Sequence, residues 1–91
     1  MKPLSYHALE RMVRGFSNHR RIQILALLKT KPELSVADIA EEVKINIKTA
    51  SAHVQRLAVA GLVLKRNQGS AVQHKLTARA ENILKFLRTL E

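Results

Sequence analysis

The chain has no cysteine, which excludes disulfides and thiolate metal sites and makes an intracellular, cytoplasmic location the default expectation. It also lacks a long hydrophobic run. The most apolar stretch, Ile22 to Leu28, is interrupted by Gln23 and falls far short of the roughly 20 residues that a bilayer span needs. No secretory leader is visible, so a soluble protein with no membrane partner is expected. Catalytic signatures are missing too: there is no glycine-rich phosphate loop, no nucleophile with a recognisable base partner and no paired-carboxylate spacing. No catalytic residue is assigned and no enzyme is expected. Ninety-one residues suit one domain, 1–91, with a modest core that oligomerisation would supplement.

Acidic residues are scarce as well, 7 against 16 Lys and Arg, for a formal charge of +9. Their distribution says more than their number. From Val43 to Ala80 there are seven basic residues (Lys44, Lys48, Arg56, Lys65, Arg66, Lys75, Arg79) and no acidic one, whereas Glu33, Asp38, Glu41 and Glu42 fall just before that stretch. Positive charge concentrated in this way suits a polyphosphate partner; the alternative is a merely solubilising surface.

What is present centres on Ser35 to Leu76. Ser35 with Asp38 three residues later fits a capping box, and Val36, Ile39, Ala40 and Val43 share one face of a helix running to about Glu42. Lys44-Ile45 forms a turn ending at Asn46, an N-cap. Ala50, Val54, Leu57 and Ala58 then make a second apolar stripe down to Gly61, which stops the helix in a left-handed conformation. Two helices crossing at a tight turn form a helix-turn-helix, whose second helix enters a DNA major groove. Leu62 to Arg66 and Ala71 to Leu76 read as strands around an Asn67-Gln68-Gly69-Ser70 loop. A recognition helix followed by a basic hairpin describes a winged helix-turn-helix.

The flanks are helical. Leu4 to Phe16 carries Leu9, Met12, Val13 and Phe16 on one face. Asn18 caps a helix from His19 to about Lys29, in which Ile22, Leu25, Ala26 and Leu28 point to the core and Ile24 and Leu27 widen the arc. Pro32 ends it, and Glu33-Leu34 forms a brief strand against the wing. Thr77 caps a last helix, Ala78 to about Leu90, with Ala80, Ile83, Leu84, Leu87 and Leu90 in one stripe. The fold class is therefore mainly α with a small β-hairpin. Leu9, Met12, Phe16, Ile83, Leu84, Leu87 and Leu90 form a candidate homodimer surface, unless the two terminal helices simply pack on each other within one monomer.

If Ala50, Val54 and Leu57 face inward, then Lys48, Ser51, Ala52 and Gln55 face outward. Gln55 suits adenine, Lys48 guanine, and Ala52 a thymine methyl; Ser51 suits either a base or a phosphate, and Thr49 a phosphate near the helix start. Lys65, Arg66, Asn67 and Gln68 in the wing, with Lys75 on its return strand, are candidates for phosphate or minor-groove contact, as is Lys44 in the turn. Arg56 has two readings, a phosphate contact or a pair with Asp38, Glu41 or Glu42. Arg20 and Arg21 are weaker candidates for phosphate. His7, His19, His53 and His74 lack metal-motif spacing, so no metal or other cofactor is expected, and His53 suits partly buried packing or a phosphate contact.

The segment from Asn18 to Thr77 also resembles the arsenical-resistance repressor (ArsR) family. The landmarks are Arg21, Ile24-Leu25 and Leu28, then Glu33-Leu34-Ser35-Val36 with Ile39-Ala40, Thr49, Ser51, His53-Val54, Arg56-Leu57 and Ala60-Gly61-Leu62-Val63. The resemblance implies a DNA-binding repressor that dimerises through its terminal helices, with Arg21 in a structural role. Where relatives carry metal-binding thiolates this chain has Ser35 and Ala37, and its last helix has neither the Asp nor the His that bind zinc in others. The expectation is a sequence-specific, double-stranded-DNA-binding transcriptional regulator. A winged-helix protein-interaction module and a non-specific nucleic-acid binder are the alternatives.

Overall fold

A computed structural model describes residues 3–91, and among them the caps fall where local chemistry puts them. The Ser5 side chain opens α1 (Tyr6–Phe16) by accepting from the Ala8 amide. Asn18 opens α2 (His19–Thr30) by accepting from Arg20 and Arg21. Ser35 and Asp38 close a reciprocal capping box on α3 (Val36–Val43). Asn46 caps α4 (Ile47–Val59) and Thr77 caps α5 (Ala78–Arg88). Each such cap satisfies amides that the helix cannot bond internally, and replacing one by alanine typically costs about 1 kcal/mol.

Between α4 and α5 lies an antiparallel hairpin, β1 (Val63–Gln68) and β2 (Ala71–Leu76), in register from Val63↔Leu76 to Gln68↔Ala71. β2 has the bounds expected from the sequence, whereas β1 starts at Val63 instead of Leu62 and runs on to Gln68 instead of Arg66. Asn67 and Gln68, expected in the loop, are the last residues of β1, and only Gly69-Ser70 turns the chain. Gly69 has φ 63°, as the first position of a two-residue mirror-image hairpin turn requires, so no longer loop is needed. The brief strand expected at Glu33-Leu34 is present: Leu34 bridges His74, with His74 N–H donating to Leu34 O at 3.0 Å and Glu33 N–H to His74 O at 2.9 Å.

The core is assembled from one side of each central element: Ile24, Leu25 and Leu28 of α2, Ile39, Ala40 and Val43 of α3, Ala50, Val54 and Leu57 of α4, then Leu62, Val63 and Ala80. Burying a Leu, Ile or Val of this kind contributes about 1.5–3 kcal/mol each. The inward face of α2 is rotated from the expected one. Ile24 is fully buried, while Ile22 is half-buried and Ala26 exposed, because α3 and α4 approach α2 on its Ile24 side. Ile22 and Ala26 instead floor a groove of about 480 Å³ between α2 and α5, with Leu84 and Leu87 on its opposite wall.

α1 lies across the C-terminal end of α4, and Gly15 marks the crossing. A Cβ built on Gly15 would collide with the Cβ of Ala60, so the missing side chain sets how closely the two helices approach.

Candidate nucleic-acid interface

The exposed face of α4 is presented by two backbone devices. At its start, Lys44 takes a left-handed conformation (φ 62°) that turns the chain sharply out of α3, with Ile45 N–H donating to Ala40 O at 3.0 Å. At its end Gly61 (φ 76°) closes a Schellman motif: Leu62 N–H reaches Leu57 O at 2.9 Å and Gly61 N–H reaches Ala58 O at 3.0 Å. With Ala50, Val54 and Leu57 buried between these ends, the orientation of the other side chains follows from about 100° per residue. Ala52 points directly away from the core. Lys48, Thr49, Ser51, Ala52, Gln55 and Arg56 are all exposed, and they form one continuous outer surface. Val59, 79% exposed, lies on it as well; the sequence reading did not name it, although the same helical spacing places it there. Ile47, three residues before Ala50 and seven before Val54, continues the buried stripe but is 52% exposed at the start of the helix.

The wing packs beside this surface. Lys65 Nζ donates to Gln55 Oε1 at 2.9 Å, joining the hairpin to α4, and Arg66 pairs with Glu33 at 3.0 Å. Both contacts are exposed and contribute at most about 1 kcal/mol each, so a phosphate could readily displace them. Lys65 occupies one of the two lone pairs of the Gln55 oxygen and leaves the Gln55 amide N–H groups free. Adenine recognition uses the oxygen too, which ties the position of the wing to what Gln55 can read. Asn67, Gln68 and Lys75 are exposed on the hairpin, as is Lys44 in the turn.

Behind the surface, Arg21 links three helices. Its Nη1 donates to His53 Nδ1 at 3.2 Å and its Nη2 to Arg14 O at 3.4 Å. Because arginine only donates, neutral His53 carries its proton on Nε2. Burial pushes the His53 pKa below its usual value, and the charges of Arg21, Arg56, His19 and Arg20 push it the same way. The sign follows from linkage. A depressed folded-state pKa means the unfolded chain binds the proton more readily, so stability is lost as pH falls through the ordinary histidine range near 6.5. Denaturant titrations at pH 7.5 and 5.5 should therefore show an acid-dependent loss that is smaller in His53→Gln. An equal loss in both proteins would remove His53 as its source.

The remaining candidates divide by environment. Of the two readings of Arg56, the ion pair with Asp38, Glu41 or Glu42 is absent; among the described residues Glu42 pairs with Lys31 at 2.9 Å. His74, grouped in the sequence with the other histidines, is 1% exposed, and its Nδ1–H donates to Leu34 O at 2.8 Å, fastening β2 to the segment before α3. No local pattern signals this, because its partner is 40 residues away. Met12, Phe16, Ile83 and Leu84 lie half-buried against the chain's own core and Leu87 is half-buried. Leu9 and Leu90 are exposed, and so are Tyr6, Val13 and Phe86. No helix is long and apolar enough to cross a membrane, and no group of three or more His, Asp or Glu is placed to hold a metal ion among the described residues.

Among the described residues, five helices with this crossing pair and hairpin make a winged helix-turn-helix. Residues 17–63 match the family of winged helix-turn-helix DNA-binding domains, and the chain belongs to that family. It is 38% identical over 66 residues, 72% of its length, to the HTH-type transcriptional regulator Rv0324 of Mycobacterium tuberculosis, but spans only 29% of that protein. The homodimeric winged helix-turn-helix DNA-binding domain of a possible ArsR-family regulator from Mycobacterium bovis superposes with a TM-score of 0.83 at 28% identity. That match covers 99% of this chain and 89% of the other. Reduced HlyU of Vibrio cholerae gives 0.78 at 26% identity, covering 92% and 88%. The ArsR resemblance of the sequence thus has its counterpart in the fold.

Proposed function

We propose that this protein is a sequence-specific regulator of transcription, without enzymatic activity, that binds double-stranded DNA in the cytoplasm as a homodimer and acts as a repressor by occluding a promoter. The observation that carries this reading is the outer surface of α4. Six polar or small side chains suited to base edges and phosphates are exposed together there, within a stretch from Val43 to Ala80 that holds no carboxylate. Lys48, Ser51, Ala52 and Gln55 are assigned to bases, and Thr49 and Arg56 to phosphates. Lys44, Lys65, Arg66, Asn67, Gln68 and Lys75 are assigned to the backbone on either side. The exposed apolar residues of α1 and α5, Leu9 with Tyr6, Val13 and Phe86, and Leu90 in the turn after α5, support a dimer contact in which Met12, Phe16, Ile83, Leu84 and Leu87 form the underlying layer. The M. bovis domain of the same fold is homodimeric, which supports a dimer here. Two copies would place their α4 helices at half-sites about 34 Å apart.

The two groups of contacts separate experimentally. Gln55→Ala should lower the ratio of specific to scrambled-duplex affinity, by about 1–3 kcal/mol for a lost bidentate contact, with binding to scrambled DNA nearly unchanged. Lys65→Ala with Arg66→Ala should weaken binding to every duplex and flatten its salt dependence by about 0.9 for each lost phosphate contact. Gln55→Ala acting equally on all sequences, or the wing pair leaving the salt slope untouched, would remove that element from its assigned role.

A further inference from the structure

α2 brings a second set of cations to the edge of α4. Arg20, Arg21 and His19 at its start lie within Coulombic reach of His53, as does Arg56. None of the three arginines forms an ion pair among the described residues, whose ion pairs involve other groups. Arg20 is held only by Gln23 Oε1 at 3.0 Å and the carbonyl of Val43 at 3.5 Å. Arg21 keeps its Nε buried without a hydrogen-bond partner. Neighbouring like charge and burial both depress the Arg21 and His53 pKa values, burial more strongly, so the cluster repels itself in the free chain. The amides at the start of α2 are already satisfied by Asn18, which leaves the guanidinium groups as the chemistry on offer.

Position decides what they suit. Thr49, His53 and Arg56 form the edge of α4 that faces α2, offset from the outward line through Ala52. A duplex receiving α4 in its major groove runs a phosphate strand along each edge of the helix, and the wing stands at the other side of the reading surface. Crowded cations without counter-ions gain most from a polyanion that neutralises several of them at once.

We infer that Arg20 and Arg56 bind adjacent backbone phosphates of the DNA duplex, making the start of α2 a third contact region beside α4 and the wing. This deepens the proposed function and rests on it. Arg21 is the positioning residue: through His53 and the carbonyl of Arg14 it fixes the edge on which Arg56 stands.

The test is the salt dependence of duplex affinity between 50 and 200 mM, for wild type and for Arg20→Met with Arg56→Met, on specific and scrambled DNA. The double variant should lower the slope of log affinity against log salt by about 1.8 per protomer, or 0.9 for each arginine. It should do so on both duplexes while leaving their affinity ratio in place. Arg20→Met alone should give about half the change, and serves if the double variant does not fold. Arg20→Lys with Arg56→Lys should keep the wild-type slope. A folded methionine variant with the wild-type slope would overturn the inference while leaving DNA binding intact. Wild-type protein that binds neither duplex would instead overturn the reading beneath it.

Discussion

Ala52→Glu is expected to abolish duplex binding without disturbing the fold. Ala52 stands at the centre of the outward face of α4 and is exposed; in the proposed complex its small methyl group would let the helix backbone come close to base edges. A glutamate there sends a carboxylate into a groove walled by phosphates, and like charges brought together at an interface cost several kcal/mol. About 3 kcal/mol corresponds to a loss of roughly 100-fold or more. Every sequence should be affected, because the repulsion comes from the backbone and not from one base. Glutamate is a good helix former and the site is exposed, so thermal stability should stay within about 0.5 kcal/mol of wild type. Binding within about threefold of wild type would mean that α4 does not enter the groove face-on.

The second large effect concerns the scaffold. By helix propensity alone Gly15→Ala should stabilise α1 by about 1 kcal/mol. Contact with Ala60 reverses the sign: the added methyl would meet the Cβ of Ala60, which is fixed to backbone at the end of α4 and cannot swing aside. Overpacking of this kind costs about 1–3 kcal/mol, so net destabilisation is expected. Ala60→Gly in the same chain should recover most of the loss, and a double-mutant cycle in denaturant titrations measures that coupling. A stabilised single variant would show that α1 and α4 sit further apart than described.

The elements legible in the sequence were those whose causes are local. Asn18, Ser35 with Asp38, Asn46 and Thr77 cap helices through side chains two or three residues from the amides they serve. Gly61 ends α4 by its own conformational freedom. The α3–α4 pair and the wing followed from these signals together with apolar spacing. Features decided by tertiary approach were not legible. The continuous apolar arc of α2 did not show that Ile24, and not Ala26, turns inward, because periodicity cannot say from which side α3 and α4 arrive. Lys44 holds a left-handed conformation without being glycine, imposed by the tight exit from α3. His74 gave no sign of burial.

The same division applies to the interface. The outward residues of α4 followed from its buried stripe, and the exposed positions agree. What the wing cations touch in the free chain, Gln55 for Lys65 and Glu33 for Arg66, depends on how the hairpin leans against α4. The placement of Arg20 against the carbonyl of Val43 depends on how α2 meets the end of α3. Such pairs join residues 10, 33 and 23 positions apart, beyond the reach of local pattern.

Fluorescence anisotropy at near-physiological salt, comparing a duplex from upstream of the protein's own gene with a scrambled duplex of equal length, tests the central claim most directly. A sequence-specific regulator that controls its own promoter should prefer the upstream duplex by about 10³-fold or more. Equal affinity for the two duplexes would leave a non-specific binder or a regulator whose site lies elsewhere, and binding to neither would contradict the DNA-binding reading in favour of a protein-interaction module.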